Sequence, residues 1–485
     1  MSNVKDDDRD FDEALNVTGH GRYNRMVLFS CCVTIVAAAL DIFGFSVVVA
    51  ASRCELGLTT SQVGVLVGSP FYGLVFSYPW GYFADSKGRR TAIVLSTSVG
   101  FIFGAISSIS VNWEMMLVTK AIGSSFTLSL FMLTVTYLGE SVGSKKRNQF
   151  LFILNTMNIG GEVVSFSLAY FILPLSVAMF IPWIEISFRS WRLYTLVMSI
   201  PLGIGALMML FLEESPKFLI DKGQNDKAIE VLTNIFVTNG GNRDDFVIKP
   251  LNVKPYNDSS FCVNFVRHAS PLFKPPLLWR SLQLFYLLSL ACAISNVSIM
   301  WLPTMLDMVF KSISSGSSDI RFCDGFNNIS QQHNANVTCN DTLSEETLIS
   351  GFSVSLFVAV LNLSVTKFAS YRRIILISIF LLAGFSCVMV SVLRQPLASV
   401  VFYTLMQTTL VGIGSISTYF VDLYPTSCRG LATSLGYMVA RCFSLIGTTL
   451  VGAVGNSNCE MIFYVAASVA FSGSLVSLSL PSNKN

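Results

Sequence analysis

Hydrophobic residues fall along this chain in blocks about as long as a bilayer's hydrocarbon core is thick. Twelve runs stand out, at 26–51, 61–83, 91–112, 114–138, 149–172, 193–212, 281–305, 347–366, 374–393, 397–421, 431–454 and 461–480. Each is close to the roughly 20 residues a helix needs to cross about 30 Å of hydrocarbon. Residues 173–192, with Pro174, Pro182, Glu185, Arg189 and Arg192, interrupt the pattern and read as the end of span five followed by a bent loop. The longest polar stretch, 213–279, divides the spans six and six. Within it Ala228, Ile229, Leu232, Ile235 and Phe236 recur at helical spacing and predict an amphipathic helix; Pro250, Pro255, Pro271, Pro275 and Pro276 mark the rest as linker. The expected architecture is all-α and polytopic. It has an N-terminal segment 1–25, a six-helix bundle 26–212, the linker 213–279, a second six-helix bundle 280–480 and a tail 481–485.

Lys and Arg in the short loops set the orientation. Lys87, Arg89 and Arg90 follow span two, Lys145, Lys146 and Arg147 follow span four, Lys367, Arg372 and Arg373 follow span eight, and Arg429 follows span ten. The alternate loops are poorer in positive charge, so both termini are expected in the cytosol. Asp6, Asp7, Asp8 and Asp10 before the first run do not read as a cleavable signal, and the first span is expected to act as its own insertion signal. Residues 306–346 then fall outside, where Asn328, Asn336 and Asn340 each open an Asn-x-Ser/Thr sequon for glycosylation. Cys323 and Cys339 share that polar loop and can form a disulfide if it is non-cytosolic.

Composition narrows the function. Charged residues make up 13% of the chain, against about 25% in a soluble domain. The net charge of +3 gives no reason to expect a nucleic-acid partner. Three His among the 485 residues, with no Cys/His cluster, argue against a metal. No phosphate-cradling GxxxxGK[ST] loop is present, no cofactor is implied, and no catalytic constellation points to an enzyme.

The two halves repeat one another. Tyr137-Leu-Gly-Glu140 and Arg147 follow span four; Tyr419-Phe-Val-Asp422 and Arg429 follow span ten, 282 residues later with the same acid-to-Arg spacing. Arg89-Arg90 recurs as Arg372-Arg373 at an offset of 283. Parallel six-span repeats with a midplane site between them are an arrangement of secondary transporters. Acids and arginines at helix ends can form charge-assisted pairs with neighbouring loops. Such pairs would hold one access state closed, or else anchor helix ends at the headgroups.

Gly81-Tyr-Phe-Ala-Asp85-Ser-Lys-Gly88-Arg89-Arg90 resembles the signature loop of the major facilitator superfamily, Gly-x-x-x-Asp-x-x-Gly-Arg-Arg, and sits between spans two and three where that loop belongs. Glu214-Ser215-Pro216-Lys217-Phe218-Leu219 resembles the Pro-Glu-Ser-Pro-Arg-(Trp/Phe)-Leu element of sugar and organic-ion porters, with Glu213 in place of the leading Pro and Lys217 in place of Arg. Asp12-Glu13-Ala14 and Gly19-His20-Gly21-Arg22-Tyr23, with the long loop between spans seven and eight, are similar to the synaptic vesicle glycoprotein 2 family. The second-half counterpart of the signature loop is degenerate, with Phe368 at the acid's position, and Lys120 stands where many relatives have Arg. The resemblance implies two pseudo-symmetric bundles, gating by Asp85, Arg89, Arg90, Glu140, Arg147, Asp422 and Arg429, and a cavity lined by spans one, four, seven and ten. Spans seven and ten would contribute Asn296, Trp301, Tyr403 and Gln407.

Ionisable groups deep in a membrane cost about 2.5–3.5 kcal/mol each on insertion scales and mark functional sites by default. Asp41, Lys120, Glu162 and Arg441 lie inside spans. Asp41 and Lys120 count to similar depths, so a pair between them is expected. In one reading Asp41 or Glu162 exchanges a proton or meets a cationic solute; in the other the acids and bases neutralise each other as packing pairs. The expected function is transport of a small organic solute by alternating access, with a proton or cation as coupling partner left open. A vesicle or surface glycoprotein acting as receptor or regulator is the alternative. Either way the protein is multi-pass, in a plasma or vesicle membrane.

Overall fold

The computed structural model describes residues 11–183, 185–246, 270–275, 277–314, 322–323, 343–366, 368, 371–424 and 426–481. The three sequons and Cys339 lie outside them, as does the side chain of Arg429. Among the described residues eleven helices are long and apolar enough to cross a membrane. A further hydrophobic passage, span two, is divided into Thr60–Gly68 and Leu74–Lys87 by a 3-10 turn at Ser69–Gly73.

Spans one, three and five are the helices Arg22–Ser52, Arg89–Ser107 and Ser144–Ile172. Span four breaks between Trp113–Thr127 and Leu130–Ser141, and span six is Ser190–Leu210. Leu277–Ser314, Glu345–Thr366 and Arg372–Val392 form spans seven to nine. Span ten runs from Pro396–Leu405 through a turn at Met406–Thr408 to Thr409–Leu423. Spans eleven and twelve share Thr426–Leu478, interrupted at Asn458, whose backbone is non-helical.

Local chemistry explains several boundaries. Thr59 and Gln62 form a capping box at the start of span two, which satisfies two otherwise orphaned amides. Asn112 caps span four by accepting from the Met115 amide at 2.9 Å. Gly88 turns the chain from span two to span three at φ 111, a backbone region that a side chain makes costly. Residues 173–192 hold more order than a bent loop: strands β1 (Ala178–Ile181) and β2 (Ile186–Arg189) pair antiparallel, Ala178 opposite Arg189. Four-residue strands are too short for alternation to announce them. Between spans six and seven lie the helices Pro216–Asp221 and Asn225–Thr238. The second buries Ala228, Val231, Leu232 and Ile235, so the predicted amphipathic helix is present.

Twelve passages bring residues 11 and 481 to one face, here termed the terminal face. The cores show how the halves meet. Towards the opposite face a single core joins Phe45, Val63 and Leu66 of the first half to Met300, Trp301 and Leu348 of the second. Towards the terminal face the cores are separate. One gathers Tyr23, Tyr137 and Leu154 with Leu232 and Ile235; the other gathers Leu284, Phe380, Tyr419 and Phe420. The halves are therefore sealed at one end and form two independent bundles at the other.

Candidate functional site

Two seams stand out in the seal, beside the contact of span one with span seven. Where span two meets span eleven, Gly64 and Gly452 face each other so closely that a Cβ on Gly64 would lie 2.7 Å from the Gly452 Cα. Only glycine permits that backbone approach, the means by which helices pack closely in membranes. At the other seam span five packs on span eight: the Phe166 ring lies over Gly351 and the Tyr170 hydroxyl donates to Glu345 at 3.0 Å. Arg53, just past span one, also feels both halves. Burial lowers its pKa to about 10, and the Asp307 carboxylate of span seven opposes that shift.

Asp41 and Lys120 meet as the sequence leads one to expect. The Lys120 ammonium lies 2.5 Å from Asp41 Oδ1 and also donates to the Asp41 backbone carbonyl. Thr127 donates to Asp41 Oδ2 at 2.7 Å, and the Phe45 ring lies 4.8 Å from the ammonium. Both carboxylate oxygens are thus occupied, which is what a buried ion pair requires. Beside the pair is a cavity of about 20 Å³, lined by spans one, three, four and six through residues such as Phe103, Thr119, Met198 and Ser199. That is room for about one water molecule, and it lies within the first half rather than between the halves.

The second-half residues occupy other positions. Asn296 donates to Ser444 at 3.0 Å and the Trp301 indole donates to the Thr448 carbonyl at 3.3 Å, so both tie span seven to span eleven. Tyr403 donates to the Ser298 carbonyl at 3.0 Å and is stacked by Phe322 at 5.4 Å between ring centres. Gln407 is fully buried, and neither end of its amide has a hydrogen-bond partner among the described residues. Glu162 is buried against Ser355 of span eight. Arg441 lies in span eleven near Cys292 and Tyr437.

At the terminal face the motif residues pair within each half. Arg89 lies 3.0 Å from Asp85 and 3.1 Å from Glu140, beneath the Phe218 ring at 5.3 Å. Glu140 also accepts from Ser215 at 2.5 Å. Arg90 donates to the Met209 and Leu210 carbonyls at 3.0 and 2.5 Å, and its amide donates to Glu214 at 2.8 Å. Arg147 pairs with Asp12 at 2.6 Å. In the second half Arg372 pairs with Asp422 and stacks on Tyr419 at 4.0 Å. The arginine partner of each acid is therefore the one at the start of the neighbouring odd span, Arg89 for Glu140 and Arg372 for Asp422.

One expectation is overturned. Cys323 is disulfide-bonded to Cys459, with Cα atoms 5.5 Å apart, and not to Cys339. Phe322 is wedged against Tyr403 and Phe463, which holds Cys323 over the break between spans eleven and twelve, where Cys459 lies. Cys459 directly follows the non-helical Asn458. Cys54 is disulfide-bonded as well. A second cluster had no sequence signal. Glu55 accepts from Arg192 at 2.8 Å and from Trp191 at 2.7 Å, and Arg192 also donates to Ser110, tying three segments of the first half together.

A sequence profile of the Major Facilitator Superfamily matches residues 31–318. The chain belongs to the Major Facilitator Superfamily. Among curated relatives, human synaptic vesicle glycoprotein 2B is 24% identical over 230 residues, 47% of this chain and 34% of that protein. Rat synaptic vesicle glycoprotein 2A is 27% identical over 232 residues, 47% of this chain and 31% of that protein. The matched stretch spans about a third of these relatives' length. Among solved structures, the partially occluded inward open xylose transporter XylE from E. coli superposes with a TM-score of 0.65 at 14% identity. That alignment covers 95% of this chain and all of that one. The nucleoside transporter NupG gives 0.60 at 14% identity, over 94% and 99% of the two chains. At such identities the likeness shows the fold alone. This superfamily member is an integral, multi-pass membrane protein.

Proposed function

We propose that this chain moves a small organic solute across its membrane by alternating access, with the two bundles rocking about the seams between spans two and eleven and spans five and eight. The carrying observation is the shared core at one end and the two separate cores at the other, one of the two arrangements that alternation requires. The Arg89–Glu140 and Arg372–Asp422 pairs, with Asp85, Arg90, Arg147 and Arg429, act as the gating set at the terminal face, which is cytosolic in this reading. Asp41 and Lys120 form the polar centre of the first half, and Asn296, Trp301, Tyr403 and Gln407 that of the second. The neighbours of this fold include proteins described as transporters of xylose and of nucleosides. A hydroxylated polar solute of that size suits the unmet hydrogen-bonding capacity of Gln407.

The test is uptake into proteoliposomes holding the full chain, over labelled pentoses, hexoses, nucleosides and organic cations, with and without a pH gradient. Saturable flux is expected for one class, lost in Asp41→Asn. Because that variant leaves Lys120 unpaired, a double variant Asp41→Asn/Lys120→Gln supplies a neutral control. Absence of flux across the panel from folded protein would replace transport with the receptor or regulator reading.

A further inference from the structure

Among the described residues Glu162 is the intramembrane candidate acid with no basic partner in place. It sits in span five on the seam with span eight, 6% exposed, and its Oε1 has no hydrogen-bond partner among the described residues. Its polar neighbour is the Ser355 hydroxyl of span eight, but Ser355 already gives its proton to the Gly351 carbonyl at 2.9 Å.

Among the described residues, the charged groups on the elements packed around it hold other partners or lie at those elements' ends. On span one Asp41 holds Lys120 and Thr127. On span six the Tyr194 hydroxyl shares a proton with Ser165 at 2.8 Å, and Arg192 holds Glu55. On span four Tyr137 donates to the Glu213 carbonyl and Glu140 holds Arg89. Span eight carries Glu345, which accepts from Tyr170, and Glu346 at the same end. On span five itself the cations, Lys145, Lys146 and Arg147, lie in the first turn, more than three turns from Glu162. An ionised carboxylate buried without a counter-charge is costly enough that such a group neutralises instead.

We propose that Glu162 is a proton-binding site that latches the span five–span eight seam: protonated and neutral while the seam is packed, and ionised when the halves part and water reaches it. One proton passes from the carboxyl to water on opening and returns on closing. This rests on the alternating-access reading and supplies it with a coupling group at a position where the two halves touch.

Two measurements on the full chain in lipid nanodiscs test it without any solute, so they can fail or succeed independently of transport. In the unaltered protein, dicyclohexylcarbodiimide, which requires a protonated carboxyl, is expected to modify Glu162, with labelling mapped by mass spectrometry and lost as pH is raised. Spin labels at Leu175→Cys and Ile349→Cys, in a background free of reactive thiols, report the seam by pulsed electron resonance. The inter-label distance is expected to lengthen at alkaline pH in the parent and to stay short at every pH in Glu162→Gln. Failure of the carbodiimide to modify Glu162 at any pH, or the same pH response with and without Glu162→Gln, would overturn the proposal.

Discussion

The two halves place the same charge pair at the same point of the repeat, yet surround it differently. In the first half Arg89 and Glu140 lie under Phe218, and Ser215 of the segment following span six donates into the pair. Both side chains are nearly inaccessible, at 11% and 13%. In the second half Asp422 is 52% exposed and Arg372 13%, and the Tyr419 ring of the same bundle lies 4.0 Å from that arginine. The repeat fixes where acid and arginine meet; the cover supplied by a neighbouring segment sets the energy of the contact. A covered pair becomes costly to break, because removing one partner strands the other away from water. An exposed pair is screened and contributes little.

Breaking the covered pair gives the largest expected effect. Arg89→Ala leaves Glu140 buried beside Ser215 and should lower stability by about 3–5 kcal/mol. Arg372→Ala should cost no more than about 1 kcal/mol. Thermal unfolding of the purified variants in one detergent measures both, and equal losses would erase the contrast. Gly88→Ala sharpens the same comparison from the backbone side. Its φ of 111 is unfavourable for a side chain, and the new Cβ would run into the Glu214 carboxylate that holds Arg90. A loss of about 1–2 kcal/mol is expected, read in the same assay.

The smallest effect concerns pH. Partial burial, then Lys146 and Lys145, hold the His20 pKa below its usual 6.5, so the packed first half favours the neutral ring. The stabilisation from that packing is complete above the usual value and is lost as pH falls through the lowered one. Amide protection factors over residues 11–20, taken against the intrinsic exchange rate at each pH, should therefore fall on acidification, and His20→Asn should flatten that response.

Much of this was legible before any coordinates. The Asp41–Lys120 pair follows from depth counting along two helices, and the twelve passages from hydrophobic run length. Other features had no linear signal. Arg192 looks like a loop residue until the fold brings Glu55 and the Ser110 carbonyl to it. Cys459 looks like one cysteine of a short connection until Phe322 anchors Cys323 above it. Arg147 is the arginine nearest to Glu140 along the chain, yet it pairs with Asp12.

By itself the sequence determined the membrane class, the twelve passages, the six-plus-six repeat and the positions of the intramembrane charges. These follow from local periodicity and from the cost of placing polar groups in hydrocarbon. Only the tertiary structure decided which acid meets which base at the terminal face, which cysteine Cys323 joins, and that the halves are sealed at the face opposite the termini. Apart from Asp85 with Arg89, those outcomes depend on contacts between residues 50 or more positions apart. Such contacts are set by which helix faces pack, and no pattern along a single helix carries that information.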